Sequence, residues 1–156
     1  MEKRGLLLDL VLASDPQLLS VVRAAIERLT EVFGFTPPEC RSITRAVDEA
    51  LANVMRHAYG NVADQRIEMS CTKVSAMVDG QQRVGLEIQL QDEGVPFDRN
   101  KLTARSLDEV KPGGLGLHFI RDSMDIMEHS RVGSANRLQL VKYLSGNTTT
   151  QEDQGE

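Results

Sequence analysis

Glu49, Asn53 and His57 recur at intervals of four within Asp48-Glu49-Ala50-Leu51-Ala52-Asn53-Val54-Met55-Arg56-His57. On a helix that interval lines three side chains into one stripe. A carboxylate and an amide oxygen one turn apart can jointly serve a proton acceptor and a hard cation. Magnesium takes oxygen ligands and keeps waters, so one Asn plus substrate phosphates would satisfy it. A solvated stripe on an amphipathic helix has the same spacing, and E-x-x-x-N alone does not separate the two readings.

Asp92-Glu93-Gly94 closes a stretch in which Val84, Leu86, Ile88 and Leu90 alternate with Gly85, Glu87 and Gln89. An acid where a strand stops can accept from an exocyclic amine, and the following Gly lets backbone approach a flat ligand. A plain turn has the same composition. Gly113-Gly114-Leu115-Gly116-Leu117 opens a helical stretch, where glycines bare a helix N-terminus whose N–H groups and dipole attract phosphate. A hinge before a helix is the competing account. The stretch is neither a dinucleotide fingerprint nor a Walker loop, because the preceding strand and the Lys-Ser/Thr are missing.

The elements that must position these residues are legible from periodicity. Leu6, Leu8, Leu10 and Leu12 alternate with Leu7, Asp9, Val11 and Ala13, predicting a strand with one well-buried face. Ser14-Asp15-Pro16 starts a helix in which Leu18, Leu19, Val22, Ala25, Ile26, Leu29 and Val32 keep helical spacing up to Gly34. Thr36-Pro37-Pro38-Glu39 starts a second helix, expected to run to about Tyr59-Gly60, with Ile43, Val47, Ala50, Leu51, Val54 and Ala58 facing the core. Strands are expected over 66–77 and 83–91 about the turn Asp79-Gly80, then a long loop over 92–113 with a short helix near 102–107. A helix over about 115–127 and strands around 126–132 and 137–144 complete the chain. Strands and helices without strict alternation predict an α+β two-layer sandwich, with helices on one face of a mainly antiparallel sheet.

Taken in order, the three stretches resemble the N-box, adenine box and glycine-rich G2 box of the gyrase and histidine-kinase ATPase superfamily, the Bergerat fold. The resemblance covers residues 1–144. Among stand-alone versions the chain is most similar to the bacterial anti-sigma factor/serine-protein kinases. His57-Ala58-Tyr59, Val95-Pro96-Phe97-Asp98, Ile120, Met124-Asp125 and Asn136-Arg137-Leu138-Gln139-Leu140 extend the match. With 156 residues and no phosphoacceptor helix, a complete sensor histidine kinase is not expected.

The resemblance implies roles residue by residue. Glu49 would be the general base for an attacking hydroxyl, and Asn53 would hold Mg²⁺ against the phosphates of ATP. Arg56 stands where relatives carry a basic residue near phosphate. His57 stands at a position near the nucleotide, although its place beside the apolar face favours a packed core histidine. Asp92 would accept the adenine amino group, and Gly94, Gly114, Leu115, Gly116 and Leu117 would let backbone close on base and phosphates. Arg99, Lys101, Arg105 and Lys111 would lie on a lid. Val95-Pro96 replaces a second Gly common in relatives, and Pro112 replaces the first G2 glycine, implying a stiffer hinge.

The implied activity is ATP-dependent phosphorylation of a serine or threonine on a STAS-type anti-anti-sigma protein. A sigma factor would compete for the same domain, and a homodimer is expected. The alternative is a non-catalytic module in which ATP only shapes a docking surface. Metal-dependent hydrolysis by Glu49 and His57 lacks a third strong ligand.

Charge narrows the field further. The chain carries 18 basic and 23 acidic residues, net −5. Ser145 to Glu156 holds three acids and no base, hence −3, and nothing to bury, so this tail is expected to be disordered. The remaining body is close to neutral, which argues against nucleic-acid binding through a general basic surface. Membrane-length apolar runs and a signal peptide are missing, and Cys40 and Cys71 form no framework, so one cytosolic domain is expected.

Overall fold

The computed structural model describes residues 5–97 and 114–145. Strand β1 (Leu6–Ala13) leads through a 3-10 turn into helix α1 (Leu19–Phe33), and α2 (Pro37–Asn53) runs on into a π-helical turn, Val54–Ala58. Strands β2 (Arg66–Val78) and β3 (Gln81–Asp92) follow, then α3 (Gly114–Ser123), β4 (Ile126–Val132) and β5 (Ala135–Tyr143). The strands form one antiparallel sheet in the order β1-β2-β3-β5-β4. Residues 98–113, where the lid and a short helix were expected, and the tail from 146 onward lie outside the described residues.

Local chemistry sets the boundaries. Asp15 accepts from the Gln17 N–H at 2.9 Å ahead of Pro16, and Gly34 ends α1 in the left-handed region, φ 111°, where a side chain would be strained. Thr36 and Glu39 form a reciprocal capping box at the start of α2, satisfying two otherwise orphaned N–H groups. Between β2 and β3, Asp79 and Gly80 both have positive φ, 50° and 77°, which is what a two-residue hairpin of native twist requires.

The core lies between the inner sheet face and the helices. Ile67, Met69, Cys71, Leu86, Ile88, Leu90 and Leu140 meet Ile26, Ile43, Val47, Leu51 and Ile120, all at most 1% exposed. Each such aliphatic side chain contributes about 1.5–3 kcal/mol by leaving water. The outer sheet face is polar and half-exposed, carrying Glu87, Gln89, Gln91, Arg137 and Gln139, so the sandwich has two layers, as expected.

Four expectations are corrected. The leucine face of β1 is only half-buried, with Leu6 at 39% exposure, because β1 is an edge strand flanked on one side only. Val32 is 69% exposed and the buried stripe of α1 passes through Thr30 instead. The third helix stops at Ser123, where the Asp125 N–H bonds to Val141 C=O and its carboxylate accepts from the Tyr143 N–H, so the chain has already joined the sheet. The second helix reaches Ala58 as expected and Val54 packs against the core, but its last turn is π-helical, which buries Met55 at 3% exposure while Ala58 stays half-exposed.

Candidate functional site

The π turn carries one end of the candidate site. The Tyr59 N–H reaches back five residues to Val54 C=O, at 3.0 Å. Such a turn holds one residue more than an α-turn and commonly marks functional places. Widening turns Met55 into the core and leaves His57 exposed, so His57 is not the packed core histidine its sequence position suggested.

Upstream, Arg56 links the two residues expected to carry the chemistry. Its guanidinium donates to Asn53 Oδ1 at 3.0 Å and lies 4.0 Å from Glu49 Oε2. Glu49 is half-exposed, with 34% of its side chain open. The other amide atom, Asn53 Nδ2, is buried and has no hydrogen-bond partner among the described residues. A buried polar atom left unsatisfied costs about 1–3 kcal/mol, so natural folds keep few of them.

The second end is built on the last inner-facing row of the sheet, where Ile67, Asp92 and Asn136 lie in register on β2, β3 and β5. Asp92 is 5% exposed and accepts from the Asn136 side-chain amide at 2.8 Å and from the Gly94 N–H at 2.9 Å, both on Oδ1. The Asn136 amide also donates to Val95 C=O at 2.9 Å. Its oxygen accepts from Arg131 at 2.9 Å. Phe97 stacks on the His129 imidazole with centroids 3.7 Å apart.

The two ends are pressed together at Gly94. A Cβ on Gly94 would lie 2.3 Å from Ala58 O, and the Val95 N–H donates to that same carbonyl at 2.9 Å. Here the glycine makes room for the end of the helix, in addition to any approach to a ligand. Tyr59 completes the joint. Its hydroxyl accepts from the Glu93 N–H at 2.9 Å and donates to Arg66 C=O at 2.5 Å. Burial, and then the Asp92, Glu93 and Glu68 carboxylates, push its phenol above the usual value, while the Glu93 hydrogen bond pulls the other way.

Gly114, Leu115 and Gly116 open α3, as expected, and Leu117 is half-buried against the core. Arg45 of α2 covers the Phe119 ring at 4.4 Å, fastening α3 to the helix that holds Glu49 and Asn53. The structure therefore unites Glu49, Asn53 and Arg56, and separately joins Asp92 and Gly94 to the end of the same helix. No hydrogen bond or ion pair among the described residues links Gly114–Leu117 to either group. Tyr59, Arg131 and Asn136 were not singled out as site residues, although Tyr59 and Asn136 stood in the matching stretches.

A helix-backed antiparallel sheet with an acid–amide helix, a buried strand-end Asp and a glycine-opened helix defines an ATPase domain of the histidine-kinase type. A family model described as histidine kinase-like ATPase domain matches residues 12–142, and the chain belongs to that family. The serine-protein kinase RsbW of Bacillus subtilis is 27% identical over 150 residues, covering 89% of this chain and 86% of its own. The serine/threonine-protein kinase BtrW of Bordetella bronchiseptica is 28% identical over 106 residues, 65% of this chain and 69% of its own. Among solved structures, a chain in the SiaB–SiaC complex from Pseudomonas aeruginosa superposes with a TM-score of 0.57 at 13% identity, covering 91% of this chain and 92% of that one. That likeness supports the fold alone.

Proposed function

We propose that this chain is an ATP-dependent serine/threonine protein kinase that phosphorylates a STAS-type partner and holds a sigma factor in a partner-switching cycle. The observation that carries the reading is the Glu49–Asn53–Arg56 group, set on the helix whose π-turned end is joined to the buried Asp92. The curated relatives named serine-protein kinases over most of the chain support the choice of acceptor.

The residues present fit the nucleotide. Asn53 keeps a buried polar atom unpartnered, and both described bonds to Asp92 fall on one of its carboxylate oxygens. Asp92 would accept the adenine amino group, which guanine, with a carbonyl at that edge, cannot supply. Mg²⁺, when bound, would neutralise phosphate charge, and Asn53 is the residue that would hold it. Arg56 now donates to that amide oxygen, so loading the site frees its guanidinium for phosphate. His57, exposed at the same turn, stands on the nucleotide side, and the backbone of Gly114–Leu117 would face phosphate at the start of α3.

Glu49 would take the proton of the partner's hydroxyl as its oxygen bonds to the γ-phosphorus and the bond to the bridging oxygen of ADP breaks. Such transfer rests mainly on positioning and charge neutralisation. The new phosphate would add about −1.5 to −2 of charge at the partner interface and release the partner, returning the kinase to the sigma factor. We place the protein in the cytosol and expect a homodimer. Among the described residues no helix is long and apolar enough to cross a membrane.

The test is incubation of the full chain with γ-labelled ATP, Mg²⁺ and the STAS-domain protein encoded nearest its gene. Label on a partner serine or threonine is expected. Binding of ATP and partner without any transfer would overturn the kinase reading and leave a regulated docking module.

A further inference from the structure

We propose that Tyr59 is a positioning residue for base recognition: its hydroxyl fixes the chain segment from which Asp92 reads the exocyclic amine of adenine. The inference rests on the nucleotide reading above. Glu93 is the first residue beyond β3, so its N–H has left the sheet ladder. The Tyr59 hydroxyl accepts that N–H at 2.9 Å and donates its own O–H to the C=O of Arg66, the first residue of β2. One phenol thereby ties the π-turned helix to the start of β2 and the end of β3.

Asp92 is then gripped from two directions. Asn136 holds its Oδ1 from β5, and Tyr59 holds the adjoining peptide from the helix side. With Oδ1 already accepting two hydrogen bonds, the second oxygen is the one to offer a ligand. Its direction depends on the backbone at Glu93. The reach of Tyr59 depends in turn on the π turn, because the equivalent of one added residue rotates the downstream chain by about 100°. The helix carrying Asn53 is thus held at a fixed offset from the carboxylate that would meet the base, and Tyr59 sets that offset.

Tyr59→Phe keeps the half-buried ring, packed against the core, and deletes only the hydroxyl. The test compares affinities of the full chain, with Mg²⁺, for ATP, GTP and N6,N6-dimethyl-ATP, whose base has no N–H on the exocyclic nitrogen. Wild type should prefer ATP strongly over both. Tyr59→Phe should lower that preference about three- to tenfold, the range for one lost hydrogen bond. A general structural defect would weaken all three nucleotides alike and leave the ratios in place. An unchanged ratio in Tyr59→Phe, with Asp92→Asn abolishing it, overturns the role of Tyr59 and keeps the nucleotide reading. An unchanged ratio in Asp92→Asn removes both. If Tyr59 acts through Asp92, the double variant should discriminate no worse than Asp92→Asn alone, and additive losses would overturn the inference.

Discussion

The two ends of the candidate site are built in opposite ways. At the sheet end, Asp92 and Asn136 are 5% and 7% exposed, and their side chains are tied to β4, β5 and the segment after β3. At the helix end, Glu49 is half-open, one atom of Asn53 is unsatisfied, and an exposed Arg56 spans both. The side chains of the sheet end are satisfied within the fold, whereas the helix end keeps a buried polar atom with no hydrogen-bond partner among the described residues. A satisfied buried network is rigid and specifies geometry, which suits recognition of a base. A half-open acid beside a displaceable guanidinium suits chemistry that must admit phosphate and a partner's hydroxyl.

The sharpest way to break this contrast is at Glu49. Glu49→Gln should lower phosphoryl transfer by about 10²–10⁴-fold, the usual worth of a general base, with ATP affinity nearly unchanged. Single-turnover transfer and equilibrium binding measured side by side check both halves. Gly94→Ala comes next, since its Cβ would meet Ala58 O at 2.3 Å. It should cost roughly 1–3 kcal/mol and lower the melting temperature by several degrees in calorimetry. Arg56→Ala should by contrast stay within about 0.5 kcal/mol of wild type in the same scan, as an exposed substitution does. A loss as large as that of Gly94→Ala would mean that the helix end, too, bears the fold.

The smallest effect concerns pH. The phenol of Tyr59 is raised above its ordinary value, so its contribution to stability is present below the unfolded pKa and lost as pH rises through the folded one. The joint should hold unchanged across neutral pH and open only in alkali, above about pH 10. Absorbance titration of the two tyrosines should show a late phase that Tyr59→Phe removes. A phase at or below the ordinary value would contradict the burial described.

Much of this was readable from sequence because the signals are local. The Thr36–Glu39 box, Pro16, Gly34 and the Asp79-Gly80 turn each act within a few residues, and alternation fixed the inner face of β3. The three motif stretches were likewise contiguous, and the expected α+β sandwich of the histidine-kinase-like ATPase family is the observed one. What escaped depends on distant partners. The end of the π turn is held where Ala58 C=O meets Val95 N–H, 37 residues on, and helical periodicity carried Ala58 inward and missed Met55. The importance of Asn136 lies in a contact 44 residues away in sequence, and that of Tyr59 in one 34 residues away. The half-exposure of β1 reflects its place at the sheet edge, which alternation does not encode.

The β2–β3 hairpin has a consequence for the order in which the molecule assembles. Its twelve paired positions close over a two-residue turn, as do the seven of β4 and β5, so the entropy lost in closing either hairpin is small, whereas β1 must find β2, and β5 must find β3, across 44 residues or more. These two hairpins are the pairings with the least loop entropy to lose, and β2–β3 already carries Asp92. The clamp on that carboxylate waits for Asn136, among the last strand residues to be made. Pulse-labelled hydrogen exchange should protect amides bonded within the two hairpins before those bonded between β3 and β5, and competence to select adenine should emerge last. Binding of adenine nucleotide would then report on completion of the whole sheet.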